Sequence, residues 1–360
     1  MKTLVKNKKR IGFLSLYGFP RGQAYVTRCY SKMLVDEYDV YIMKQGSNPI
    51  SKEFEMDVNI MEVPEYNVDP SVFKKWIEVN KLDAVVFNEY NQWSNDGNNL
   101  VQVAKDSGAK AYGYLVWEKW AGKEAYKDYD RLIAPTVSME RFFRTSKIRK
   151  FVYIPYSVDF EEFPDIERNK NEKFVFFHPG GYGGVHNRKN TQVVLDAFKL
   201  LERDDCELVI TSQKKLDMPL DGRENVTIID SEVSRDELVK LYEEADTVLL
   251  PSKWETVGLP ILEAMASGTP VITSNAPPMN EFIVDSTNGY LVNCDMIKYP
   301  DIGIYACDVS AGALKNKMIN ALNEFTHPIL VKNAKNIAKQ LYDLEKNKKY
   351  FLDFIEKDLQ

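Results

Sequence analysis

Residues 251–272 read PSKWETVGLPILEAMASGTPVI. An apolar run, Thr247–Pro251, leads into the segment, and an apolar helical pattern, Leu259–Ser267, leads out of it. The local order is therefore strand, loop, helix. Pro260 suits the start of a helix, where its missing N–H is no loss. Gly268 can close the helix, and Pro270 follows it. Glu255 sits in the loop and Glu263 falls in the first helical turn, with Gly258 between them. Free N–H groups at Gly258, Leu259 and the first turn attract phosphate, and Gly258 lets a ligand approach the backbone closely. A carboxylate on either side could accept hydrogen bonds from vicinal hydroxyls, as an acidic residue holds a ribose in dinucleotide folds. Taken alone, the segment also fits an ordinary capped helix in which Glu263 answers the helix dipole.

Outward from this segment, short apolar runs alternate with amphipathic stretches. Strands are expected at Ile11–Tyr17, Asp39–Met43, Ala84–Asn88, Lys110–Val116, Arg131–Ala134 and Phe151–Ile154. A second series follows at Phe174–His178, Glu207–Thr211, Val226–Asp230, Thr247–Pro251, Pro270–Thr273 and Gly289–Val292. Helices are expected at Tyr25–Glu37, Ser71–Asn80, Thr191–Arg203, Ser234–Ala245 and Leu259–Ser267. Such alternation predicts parallel sheets covered by helices. The expected class is α/β, with two Rossmann-like doubly wound domains facing a cleft. Residues 1–160 form the first domain and 161–341 the second, the junction falling in PYSVDFEEFPDIERNKNEK (155–173). The Lys-rich stretch Leu330–Leu359 is helical, and its end, about 342–360, packs back on the first domain. Ligands of such sheets bind at the carboxyl ends of the strands.

Bulk properties exclude several classes. The 360 residues exceed one ordinary core, which supports two domains. With 47 basic and 53 acidic residues the net charge is −6, unlike a nucleic-acid binder. Cys29, Cys206, Cys294 and Cys307 are far apart in the chain, so no disulfide framework or zinc site is expected and a reducing, cytoplasmic compartment fits. Three histidines, His178, His186 and His327, do not make a multi-histidine metal centre. No apolar run is long enough to span a membrane. The basic arm MKTLVKNKKR could contact an anionic membrane surface, or simply be solvated.

The segment resembles the family-4 retaining glycosyltransferases of the GT-B fold. The likeness rests on Glu255-TVGLPIL-Glu263, on AMASGTPVI after it, and on NEFI and NGYLV (280–283, 288–292). It extends to ELVKLYEEADTVLLPS (237–252), to IPYSVDFEEF (154–163) and to HNRKNTQVVLDAFKLL (186–201). The first half is similar in layout rather than residue by residue. The resemblance implies transfer of a hexose from a nucleotide sugar, with UDP or GDP as carrier, to an acceptor hydroxyl. It also implies retention of anomeric configuration and no metal or other cofactor. Glu263 would bind the donor's ribose, Glu255 the donor sugar, and the backbone of Thr256, Val257, Gly258 and Leu259 the diphosphate or sugar. Lys189, with Arg188, would stabilise the leaving diphosphate. The family's arginine lies several residues before its lysine; here those positions hold Gly or Tyr, and Arg188 stands adjacent.

Glycine loops follow two strands. Gly180, Gly181, Gly183 and Gly184 end one of them, and Gly181 is a candidate donor contact. Gly18 and Gly22 follow the first strand and could approach donor or acceptor. Many family members have a histidine after a strand in the middle of the first domain. AYGYLVWEKW (111–120) has none, so Trp117 and Glu118 stand there, and Glu89 ends the preceding strand. These three are candidate sugar or acceptor contacts; salt-bridged surface roles for Glu89 and Glu118 remain open beside that. Trp93, Trp117 and Trp120 could stack on a sugar or in the core. Asp128-Tyr129-Asp130 has the form of the metal motif of GT-A enzymes, but its place before a strand gives it no metal role. The acceptor is a glycan, a lipid-linked molecule or a small molecule. Two other functions stay open: a catalytically silent nucleotide-sugar-binding subunit, and a GT-B epimerase.

Overall fold

A computed structural model describes residues 8–91, 94, 97–164, 172–181, 187–216, 224–299, 304–323 and 327–360. Most of the basic arm, Trp93, and Gly183, Gly184 and His186 of the glycine loop lie outside these residues. The chain falls into two compact units, Met1–Ser157 with Leu344–Gln360, and Val158–Asp343.

The first unit runs β1 (Arg10–Ser15), α1 (Gly22–Leu34), β2 (Asp39–Gln45), β3 (Asn59–Val63), α2 (Pro70–Asn80), β4 (Ala84–Asn88), α3 (Leu100–Asp106), β5 (Lys110–Tyr114), β6 (Arg131–Ala134), α4 (Val137–Thr145) and β7 (Phe151–Tyr153). The second runs β8 (Phe174–Gly181), α5 (Thr191–Leu201), β9 (Cys206–Ser212), β10 (Val226–Ile229), α6 (Arg235–Glu244), β11 (Thr247–Leu250), α7 (Leu259–Ala266), β12 (Val271–Ser274), α8 (Met279–Phe282), β13 (Gly289–Val292), β14 (Asp295–Tyr299), β15 (Ile304–Asp308), α9 (Ala311–Ala321) and α10 (His327–Leu341). The last helix, α11 (Leu344–Asp358), belongs to the first unit.

The first sheet has seven strands in the order β3-β2-β1-β4-β5-β6-β7, all parallel. The second has six, β10-β9-β8-β11-β12-β13, also parallel. Each order reverses beside its first strand, between β1 and β4 and between β8 and β11. Open α/β sheets bind ligands at such reversals. Both sheets are thus doubly wound. Central strands such as β4 and β11 are buried along their whole length and read in sequence as unbroken apolar runs.

Helix starts follow local chemistry. Asp69 accepts from the N–H groups of Ser71 and Val72 ahead of Pro70 in α2. Ser234 and Glu237 form a reciprocal capping box on α6. Helix α11 packs on α1 through Tyr30 and Phe351 (5.2 Å between centroids), and Phe354 meets Tyr112 at 4.8 Å. The Tyr112 hydroxyl donates to Asp358 (2.9 Å) and the Asn347 amide to the Ser157 hydroxyl (2.9 Å).

Several expectations need correction. β3 was not anticipated, because it is a mostly exposed edge strand without an apolar run. The stretch Leu330–Leu359 is two helices, broken at Tyr342–Asp343. β14 and β15 form an unforeseen antiparallel hairpin, and Cys294 and Cys307 are joined by a disulfide at its base, with Cα atoms 5.5 Å apart. Distance along the chain misled here: the hairpin brings residues 13 apart face to face. Cys29 and Cys206 are buried and stand outside any disulfide. Of the two roles open to Trp120, the structure shows core packing: it is partly buried and stacks on Tyr126, 5.0 Å apart. Among the described residues no helix is long and apolar enough to cross a membrane, and no three His, Cys, Asp or Glu side chains cluster as metal ligands. In Asp128-Tyr129-Asp130, Asp128 accepts from Asn99 and Asp130 from the Ala111 N–H, each at 2.8 Å.

Candidate functional site

The site of the second unit is assembled from the loops after β8 and β11, the strands at the sheet's reversal. After β8, the turn Asn187–Asn190 carries Arg188 and Lys189. Both asparagines have positive φ (51° and 62°), a conformation Asn tolerates better than most residues. The turn is stitched to the loop after β11. The Asn190 side-chain amide donates to the Pro251 carbonyl (3.0 Å), and the Lys253 N–H donates to the Arg188 carbonyl (2.8 Å). The Cys307 N–H donates to the Lys253 carbonyl (2.8 Å), so the hairpin also supports this loop.

These contacts set the side chains. Lys189 Nζ donates to Glu255 Oε1 at 2.6 Å, and Arg188 Nη1 donates to Glu255 Oε2 and to the Trp254 carbonyl (3.2 Å). Glu255 is buried, and burial alone would raise its pKa. The charges of Arg188 and Lys189 outweigh burial and bring it down to about 2, so it is a carboxylate at neutral pH. Burial lowers the Lys189 pKa below the ordinary lysine range, with Glu255 opposing. Two cations and one anion leave this cluster one positive charge in excess.

Helix α7 starts beside the cluster. Gly258 is the N-cap in the left-handed conformation (φ 80°), and a glycine has no side chain with which to cap the helix. A side chain at that φ would be strained, which explains the glycine. Thr256 and Val257 are buried in the same loop, and Leu259 is the first helical residue. Because α7 begins at Leu259, Glu263 lies at the fifth position, beyond the first turn where it was expected. Its carboxylate is held from α6: Arg235 Nη1 donates to Oε1 at 2.6 Å, and the Tyr242 hydroxyl donates to Oε2 at 3.0 Å. Neither Arg235 nor Tyr242 was singled out from sequence. Tyr242 lay within the resembling stretch 237–252. Arg235 left one trace, a cation at a helix N-terminus, where the dipole disfavours it.

Gly181 ends β8 with φ 53°, has no atom of the described residues within 4 Å of where a Cβ would stand, and offers a carbonyl that accepts from the Gln213 N–H (2.8 Å). Below it, His178 is fully buried. Its Nδ1 faces the Leu249 carbonyl (2.8 Å), which can only accept, so Nδ1 carries the proton and Nε2 accepts from the Thr191 hydroxyl (3.0 Å). Burial brings its pKa down to about 4.

The remaining candidates belong to the first unit. Gly18 follows β1 with φ 88°. A Cβ there would meet Ile50 at 2.8 Å, and its carbonyl accepts from Ser51 (2.9 Å). Gly22 opens α1, whose N-cap residue Arg21 makes no side-chain capping bond. Glu89 follows β4 with φ 56°, donates its N–H to the Tyr114 carbonyl (2.7 Å) and pairs with Lys119 (2.6 Å). Trp117 and Glu118 lie in the single helical turn Trp117–Lys119 after β5, with Trp117 partly buried against the core.

The chain has the GT-B fold: two Rossmann-like units, each a doubly wound parallel sheet. Over 97% of this chain and 100% of the other, it superposes on a solved structure of Anabaena Alr3699/HepE in complex with UDP and glucose, with a TM-score of 0.75 and 15% identity. Within the second unit, residues 159–298 match the sequence model of the family described as "Glycosyl transferases group 1". The chain is 35% identical over 130 residues to "Uncharacterized glycosyltransferase MJ1607" of Methanocaldococcus jannaschii, which is 34% of this chain and 32% of that protein. It is 36% identical over 135 residues to "O-antigen chain mannosyltransferase RfbU" of Salmonella typhimurium, 35% of this chain and 36% of that protein. The chain thus spans about a third of the length of these curated relatives.

Proposed function

We propose that the protein is a hexosyltransferase-type glycosyltransferase. It moves a sugar from a nucleotide sugar to the hydroxyl of a glycan, lipid-linked or small-molecule acceptor, with retention of configuration. The observation that carries this reading is the Arg188–Glu255–Lys189 cluster, with Glu255 and Lys189 buried, beside the glycine-led start of α7 at the reversal of the second sheet. It lies inside the stretch that matches a glycosyltransferase family. The match to an O-antigen chain mannosyltransferase favours a glycan acceptor.

In this reading the donor's diphosphate meets the excess positive charge of the cluster and the N–H groups at the start of α7. Lys189 and Arg188 stabilise the negative charge that grows on the departing diphosphate. Glu255, already ionised, accepts a hydroxyl of the donor sugar and fixes its orientation. Glu263 accepts the ribose hydroxyls. The acceptor oxygen bonds to the anomeric carbon on the face the diphosphate leaves, the carbon–phosphate-oxygen bond breaks, and the acceptor's proton passes to the departing phosphate. No step requires an enzymatic nucleophile, a metal or another cofactor. The first unit carries the other candidates, Gly18 and Gly22 for donor or acceptor and Glu89, Trp117 and Glu118 for sugar or acceptor. The proposed place of action is the cytoplasm, peripheral to a membrane; with Cys294 and Cys307 joined, the cysteines no longer argue for a reducing compartment.

Titration calorimetry with UDP, GDP and ADP tests the donor half. One nucleotide should bind, with affinity falling about tenfold or more in Lys189→Ala, as expected when a charged hydrogen bond is lost. Equal affinity in both proteins would remove Lys189 from the site.

A further inference from the structure

We propose that Arg235 is a positioning residue that fixes Glu263 for a ribose and sets discrimination between ribo- and 2′-deoxyribonucleotides. This inference rests on the function proposed above. Arg235 occupies an unfavourable place twice over. It is the first residue of α6, where the helix dipole opposes a cation. Its side chain is only 10% exposed, and a buried charge is costly unless paired.

Its partners account for its burial. Nη1 donates to Glu263 Oε1 (2.6 Å), and Nε donates to Glu162 Oε2 (3.1 Å), with Nη2 also 3.1 Å from that oxygen. The guanidinium lies over the Phe163 ring, 5.3 Å from its centroid. Glu162 and Phe163 come from the segment that opens the second unit. Tyr242 is seven residues after Arg235, two turns along the same face of α6. Its hydroxyl holds Glu263 Oε2 (3.0 Å). One helix face therefore grips both oxygens of Glu263.

A carboxylate oxygen has two lone pairs, so each gripped oxygen can still accept a second hydrogen bond. Glu263 becomes a fixed, two-pronged acceptor suited to vicinal hydroxyls. The charges sort the two ends of a nucleoside diphosphate. Arg235 with Glu162 and Glu263 sums to one negative charge, which accepts hydroxyl donors and repels phosphate. Arg188 with Lys189 and Glu255 sums to one positive charge. The two clusters flank the start of α7, so the diphosphate and the ribose have separate, electrostatically distinct places.

The test is calorimetry with UDP, GDP and ADP and their 2′-deoxy forms. The nucleotide that binds wild type best should bind about tenfold or more tightly than its deoxy form. Arg235→Met should lose most of that ratio, and Arg235→Lys should restore part of it, since lysine keeps the charge but not the fork. Lys189→Ala should weaken both forms alike and leave the ratio intact. If Arg235→Met does not fold, Tyr242→Phe, which removes one hydroxyl, should lower the ratio in its place. A wild type that binds without distinguishing the two forms would overturn the proposal. So would a ratio unchanged in a folded Arg235→Met, or in Tyr242→Phe where that variant stands in for it. Wild type that binds no nucleotide would overturn the proposed function itself.

Discussion

Replacing Glu255 by Gln keeps its size and removes its charge. The carboxylate's pKa lies at about 2 against an ordinary 4.5. Two and a half units correspond to about 3 kcal/mol in favour of the charged form. Breaking a buried ion pair by removing one partner costs a similar amount, about 3–5 kcal/mol. In a unit of this size, Val158–Asp343, each kcal/mol moves the melting temperature by about 2–4 °C. Glu255→Gln should therefore melt about 6–12 °C below wild type. A nucleoside diphosphate without a sugar returns negative charge to Arg188 and Lys189. It should raise the melting temperature of the variant at least as much as that of wild type. Differential scanning calorimetry with and without UDP, GDP or ADP reads both effects. A variant that melts with wild type would refute the cluster as a stabilising element. A variant that no nucleotide stabilises, while one stabilises wild type, would refute the idea that phosphate replaces the carboxylate's charge.

Other consequences can be checked on the same protein. Glu255 has a folded pKa below its unfolded value, so its contribution is present above pH 4.5 and is lost as pH falls toward about 2. His178 is held neutral down to about 4, so below 6.5 the unfolded chain binds its proton first and stability falls until about pH 4. Urea midpoints should thus decline from pH 7 to 4, the decline should be shallower in His178→Gln, and a flat wild-type profile would contradict the burial of His178. Alkylation of the denatured, unreduced protein should label two cysteines, Cys29 and Cys206; four labels would show Cys294 and Cys307 to be unpaired. A Cβ on Gly289 would collide with the Val271 carbonyl, so Gly289→Ala should cost about 1–3 kcal/mol in chemical denaturation, as overpacking does, and an unchanged midpoint would mean that β12 and β13 do not lie so close.

Both sheets were largely legible because their central strands are buried on both faces and appear as apolar runs between turn signals. β4, β6 and β13 coincide with their expected limits. β3 was not legible, since an edge strand with exposed residues carries no such run. The hairpin β14–β15 and its disulfide depend on a pairing that no local signal announces. In the site, Arg188, Lys189 and Glu255 were named from motif and charge, and they meet in one cluster. What sequence did not reveal was that Glu255 already binds both cations in the protein alone. Glu263 was named, but it was placed in the first helical turn, and it stands at the fifth position, one residue beyond it. Its partner Arg235 stood out only as a cation at a helix N-terminus. Only packing reveals that it is buried between two carboxylates.

The most direct test of the central claim is release of nucleotide from a panel of UDP-, GDP-, ADP- and TDP-sugars, with glycan, lipid-linked and small-molecule acceptors present. The account predicts release from one donor, loss of that release in Glu255→Ala and Lys189→Ala, and a product that keeps the donor's anomeric configuration by NMR. Release that survives both substitutions would contradict it, and so would a product of inverted configuration.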